Sequence, residues 1–156
     1  MGAVYFYHLT RHPLEVTLPQ LLDKARHAGW HVLVRGVDEA RMRWLDEKLW
    51  LGAEDRFLAH GLAGGAHDAQ QPILLTTQPG QSANGAACLM CIDGAALDAS
   101  DVGALERTCV LFDGNDEAAL AQARSQWKAL TEAGCAAQYW SEASGRWEKK
   151  AETGSD

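Results

Sequence analysis

Residues 4–9, VYFYHL, form a run of β-branched and aromatic side chains bounded by the Thr-Arg-His-Pro of residues 10–13, which predicts a strand. Thr17 and Gln20 stand three apart like the two halves of a capping box, which predicts a helix start. Leu18, Leu21, Leu22, Ala25 and Ala28 then recur at helical spacing, and Gly29 is placed to end that helix. Residues 31–35, HVLVR, read as a second short strand. Asp38 is placed to cap a helix over residues 39–50, which ends at Gly52 and carries Met42, Leu45 and Leu49 as its apolar stripe.

Residues 60–71 are rich in Gly, Ala and Asp and predict a loop. Residues 72–77 and 87–93 predict strands either side of a turn region holding Pro79-Gly80 and Asn84-Gly85. A buried-type strand is expected over residues 107–112, followed by a helix capped by Asn115 or Asp116 and ending at Ala133, with Gly134 behind it. Residues 136–140 predict a last strand, and residues 148–156 a solvated polar tail. Strands alternating with helices imply parallel pairing through right-handed crossovers. The expected fold class is α/β, a three-layer Rossmann-like arrangement with a mostly parallel, mixed sheet, as a single domain over residues 1–147.

Bulk composition narrows the function. A chain of 156 residues, 47% hydrophobic, can bury a core without staples. Fourteen basic residues against 21 acidic ones give a net charge of −7, which argues against a protein that coats DNA or an anionic membrane directly. No run approaches the roughly 20 apolar residues of a membrane span. The four cysteines in a chain without a secretory leader are expected as reduced thiols, and the cytoplasm is the expected location.

The patterns of catalysis and cofactor binding are mostly missing. Neither phosphate-loop pattern, G-x-x-x-x-G-K-[ST] or G-x-G-x-x-G, occurs. The first strand runs into Thr10-Arg11-His12-Pro13, without glycines to bring backbone N–H groups close to a phosphate. Gly61-Leu62-Ala63-Gly64-Gly65 lacks the lysine and the helix a phosphate loop needs, so it reads as a flexible loop. Cys88 and Cys91 form a C-x-x-C inside a predicted strand, where residues three apart point to opposite faces. Buried free cysteines fit better than zinc or redox chemistry there. No metal, no cofactor and no catalytic residue is expected. A nucleotide- or cofactor-binding enzyme of Rossmann type remains the alternative, on fold class alone.

Two features stand out beside the expected core stripes: aromatics that lie off one of them and a basic pair that flanks the other. Trp44 and Trp50 fall to either side of the stripe of the second helix, and Phe57 follows seven residues after Trp50. Trp50 and Phe57 either pack together to fasten the following segment or form an apolar patch for a partner. In the last helix, Leu120, Ala123, Trp127 and Leu130 make the core stripe, while Arg124 and Lys128 sit four apart on one flank beside Trp127. That flank is either ordinary solvated charge or an aromatic rim with two cations, suited to an acidic peptide with an apolar end.

The same blocks carry a family resemblance. Phe6-Tyr7, the helix–Gly29–x–x–Val32-Leu33-Val34 unit, Asp38-Glu39, Leu45-Asp46-Glu47-x-Leu49-Trp50, Phe57, His60, Leu62-Ala63-Gly64, Pro72-Ile73 and Ala123-Arg124-x-x-Trp127-Lys128 occur in order. With them the chain resembles the chi subunit of the bacterial DNA polymerase III clamp-loader assembly over most of its length. The resemblance implies a Rossmann-like domain without catalytic activity, which touches DNA only indirectly. It implies two partners, the acidic, Phe-ended C-terminal tail of single-stranded-DNA-binding protein and the psi subunit. Carried over by motif, Arg124, Trp127 and Lys128 hold the tail, Phe112 or Asp113 borders its pocket, and Trp50 and Phe57 face psi. Escherichia-type members have another arginine one turn beyond Lys128, where this chain has Thr131, so the basic cluster is thinner. Residues 78–107 match poorly.

Overall fold

In a computed structural model, the residues described are 2–50, 60–78 and 84–153. The strands are β1 (Ala3–Leu9), β2 (Val32–Arg35), β3 (His60–Leu62), β4 (Ile73–Thr76), β5 (Cys88–Cys91), β6 (Arg107–Asp113), β7 (Ala136–Ser141) and β8 (Glu148–Thr153). The α-helices are α1 (Leu14–His27), α2 (Glu39–Trp50), α3 (Ala99–Ala104) and α4 (Glu117–Glu132). The strands form one sheet in the order β3-β4-β2-β5-β6-β1-β7-β8. Every pairing is parallel except that of β7 with β8. This is the expected three-layer, Rossmann-like α/β architecture.

Strand alternation sends side chains to two separate cores. Val32, Val34, Met90 and Leu111 meet Leu18 and Leu22 of α1 and Met42, Leu45 and Leu49 of α2 on one face. Val4, Phe6, Leu89 and Val110 meet Val102 of α3 and Ala123 and Leu130 of α4 on the other. Cys88 joins the first core and Cys91 the second, so the C-x-x-C thiols do point apart. Burial pushes the Cys91 thiol up to about 12, which leaves it protonated and unreactive.

Helix ends follow local chemistry where the chain is exposed. Asp38 accepts from the Arg41 N–H at 3.0 Å, and Asp116, rather than Asn115, accepts from the N–H groups of Ala118 and Ala119. Gly29 and Gly134 take φ of 84° and 91°, the left-handed turn that ends α1 and α4. The expected start of α1 at Thr17 is corrected. The helix begins one turn earlier behind Pro13, and Thr17 is buried within it. The extra turn buries Leu14, which outweighs the backbone bond Pro19 cannot donate. Ala28, expected on the apolar face, is exposed at the C-cap. Two segments expected without regular structure hold strands: residues 60–62 are β3, and residues 148–153 of the expected tail pair with β7 as β8. Backbone pairing needs no apolar face, so the charged edge strand Glu148–Thr153, almost wholly exposed, gave no alternation to read.

The topology creates a crevice. The chain leaves β1 through α1 on one face, and leaves the neighbouring β6 through α4 on the other. The two connections part at the C-terminal ends of these strands, the switch point where open α/β sheets bind ligands. A cavity of about 710 Å³ opens there, lined in part by Leu9–Leu14, Asp93–Ala95, Phe112 and Gln122.

Candidate peptide-binding site on the outer flank of the last helix

Helical spacing gives α4 two different flanks around its buried Ala123 and Leu130. On one flank Gln122 and Gln126 donate to the carbonyls of Gly94 and Ala95, closing that side against the loop after β5. On the other, Arg124 and Lys128 are exposed one turn apart, and neither forms an ion pair among the described residues. Trp127 lies between this flank and the core, half-buried.

An aromatic floor supports Trp127. Its ring packs edge-on against Phe6, at 5.5 Å between centroids, and against Tyr139, at 5.9 Å. Tyr139 also meets Phe112 at 6.0 Å and His8 at 5.9 Å. Its hydroxyl lies 2.8 Å from His8 Nδ1, which fixes ring and phenol together. Edge-on pairs of this kind add about 0.5–1.5 kcal/mol each beyond the area they bury. Burial pushes the Tyr139 phenol up, and the nearby Arg124 charge opposes that rise. Arg124 is therefore within electrostatic reach of the β7 side of the floor. Gly114, whose N–H donates to the Leu9 carbonyl, is packed so closely that a Cβ there would stand 1.8 Å from the His8 ring.

The structure thus brings Arg124, Trp127 and Lys128 to one rim and puts Phe112 in the floor beneath, 6% exposed. Asp113, the alternative at the end of β6, is exposed, and it accepts from the Asn115 N–H. Thr131 turns its hydroxyl back to the carbonyls of Trp127 and Lys128, so it offers the rim no charge. Phe6, placed by the sequence only in the first strand, and His8 and Tyr139 are the floor members that the sequence reading did not assign to the site. His8 stands two residues after Phe6 and so shares its face of β1, a signal visible in sequence. Tyr139 needed the β1–β7 pairing, which sets it opposite Phe6.

Trp50 lies across the sheet from this rim. It is 52% exposed and stacks on His60 at 4.2 Å between centroids. His60 is buried, with Nε2 3.1 Å from the Asp46 carbonyl and 3.2 Å from its carboxylate. Phe57, expected beside Trp50, lies outside the described residues. Trp44 is half-buried, with the Arg41 guanidinium 4.4 Å from its ring centroid.

A family model of the DNA polymerase III chi subunit, HolC, matches residues 1–138. The chain belongs to this family. That makes it an accessory subunit of the replicative DNA polymerase III, and its place is DNA replication. The match takes in Arg124, Trp127, Lys128 and Trp50, and stops before Tyr139 and β8. Comparison with curated proteins gives no significant match to an individual relative. Among the described residues no helix is long and apolar enough to cross a membrane, and no group of three His, Cys, Asp or Glu is gathered to hold a metal ion.

Proposed function

We propose that this chi-family chain is a non-catalytic adaptor of the clamp-loader assembly, working in the cytoplasm, which holds the acidic C-terminal tail of single-stranded-DNA-binding protein on the outer flank of α4. The observation that carries this reading is the pair of exposed cations, Arg124 and Lys128, without an ion-pair partner among the described residues and set one turn apart beside a half-buried tryptophan. In that reading Trp127 and the floor around Phe112 take the apolar end of the tail, and the two cations take its carboxylates. Charge-assisted bonds of this kind are worth about 1.5–3 kcal/mol each. The overall charge of −7 favours local selection, since like charge keeps the rest of the surface away from DNA while the small basic rim selects the tail.

The exposed Trp50, with Phe57, is proposed as the surface that meets psi. Its ring stands out from α2 on the opposite face of the sheet from α4, so both partners can be held at once. The test is a calorimetric titration with an acidic peptide ending in Pro-Phe. Binding near micromolar, about −8 kcal/mol, is expected, and it should weaken in Arg124→Ala. No binding by the wild type would sink the proposal.

A further inference from the structure

The loop between β1 and α1 lacks glycines, yet it gathers backbone N–H groups as a phosphate loop does. The N–H groups of Thr10, Arg11 and His12 donate to one oxygen, Oε2 of Glu142, at 3.0, 3.1 and 3.1 Å. His12 Nδ1 lies 2.9 Å from the other oxygen, Oε1. Glu142 itself is 2% exposed and follows directly on β7. The Arg11 side chain clamps the next residue, bonding the Ala143 carbonyl through Nε and Nη2 at 3.2 and 3.1 Å.

Consecutive N–H groups converging on one point make an anion-binding concavity, and here the anion is a side chain of the same protein. Its position gives this meaning. The loop lies at the topological switch point, against the 710 Å³ crevice, where a doubly wound sheet presents its first βα turn to a phosphate. Burial disfavours the charge on Glu142, but the bonds from His12 and from the Thr10, His12 and Arg11 amides outweigh it and hold the carboxyl below its usual range. A charged carboxylate is therefore the resident species.

We propose that the β1–α1 loop is a built oxyanion site that the chain fills with its own Glu142 carboxylate, and that inorganic phosphate or a small free carboxylate enters only when this side chain is removed. In the native chain the N–H groups of Thr10, Arg11 and His12 are thus taken up by Glu142 and are not open to a phosphate ligand. The same contact ties the end of β7 to the start of α1. This inference is independent of the tail-binding reading, because it uses neither Arg124 nor Lys128.

The test is chemical rescue of the full chain, comparing wild type, Glu142→Ala and Glu142→Gln by thermal unfolding in chloride, formate and phosphate at equal ionic strength. Glu142→Ala is expected to melt roughly 5–10 °C lower, through the loss of several charge-assisted bonds. Formate or phosphate should raise the melting point of Glu142→Ala by several degrees more than that of the wild type, whose response is the general salt effect alone. Recovery by either anion supports the cradle, and which one recovers more assigns its size. An equal response of the wild type, or none in the variant, overturns it. Should Glu142→Ala fail to fold, Glu142→Gln keeps the shape and removes the charge. The amide proton resonances of Thr10, Arg11 and His12 should then move upfield together, and unchanged resonances would overturn the proposal.

Discussion

Trp127 and Trp50 stand on helices that cover opposite faces of one sheet. Trp127 leans on Phe6 and Tyr139, with that floor extended by His8 and Phe112, and exposed cations flank it. Trp50 stands 52% exposed above a buried histidine, and the nearest charges along its own helix are of mixed sign, Lys48 with Glu47 and Asp46. One tryptophan is therefore largely committed to the fold and lends its edge to a rim, while the other leaves about half of its surface in water. Similar residues in similar helices acquire different roles because one face of α4 is filled by aromatics from three strands.

This contrast can be broken most directly by truncation. Trp127→Ala should cost about 2–4 kcal/mol of stability, since a packed aromatic leaves a cavity, whereas Trp50→Ala should cost about 0.5 kcal/mol, as its surface is already half in water. Urea unfolding of both variants measures the difference, and equal losses would erase the distinction. The floor beneath Trp127 can be probed through Gly114→Ala, whose new methyl displaces the His8 ring and with it the bond to Tyr139. A loss of about 1–3 kcal/mol is expected, together with a changed Trp127 fluorescence spectrum. An unperturbed emission maximum would mean that the floor does not position the tryptophan.

The charge difference between the patches gives a sharper test. Arg124→Ala should weaken the acidic peptide about tenfold or more, and Trp50→Ala should leave its affinity unchanged; loss on the Trp50 variant alone would move the site to the other face. Acid should act on the β1–β7 side of the molecule through Glu142. The folded carboxyl of Glu142 lies below its ordinary value of 4.5, so its stabilising effect is present above that value. It is lost as pH falls through the lower, folded value. Glu142→Gln should flatten the acid limb of a pH–stability curve, while the region around Trp50 contributes no such slope through Glu142. The smallest effect expected is that of salt, which should weaken the peptide several-fold between low and moderate ionic strength by screening Arg124 and Lys128.

Much of this design was legible before any coordinates. The stripe Met42, Leu45 and Leu49 had to be buried because it repeats at helical spacing, and Asp38 and Gly134 mark helix ends through local hydrogen bonding and backbone freedom. The flank of Arg124 and Lys128 beside Trp127 followed from the same spacing. The start of α1 was misread because burial of Leu14, a long-range effect, outweighs the local capping signal at Thr17. β8 was missed because an exposed, charged edge strand carries no apolar alternation.

The sequence by itself determined the alternation of strands and helices, the faces they bury and the position of the basic rim, since each depends on neighbours three or four residues away. Only the tertiary structure decided what lies beneath that rim and what fills the first loop. Tyr139 reaches His8 across 131 positions, and Glu142 reaches the amides of residues 10–12 across 130 to 132. A loop without glycines gave no hint that its N–H groups converge. They do so because β7 lies parallel to β1 and delivers a carboxylate to the end of the sheet where that loop begins.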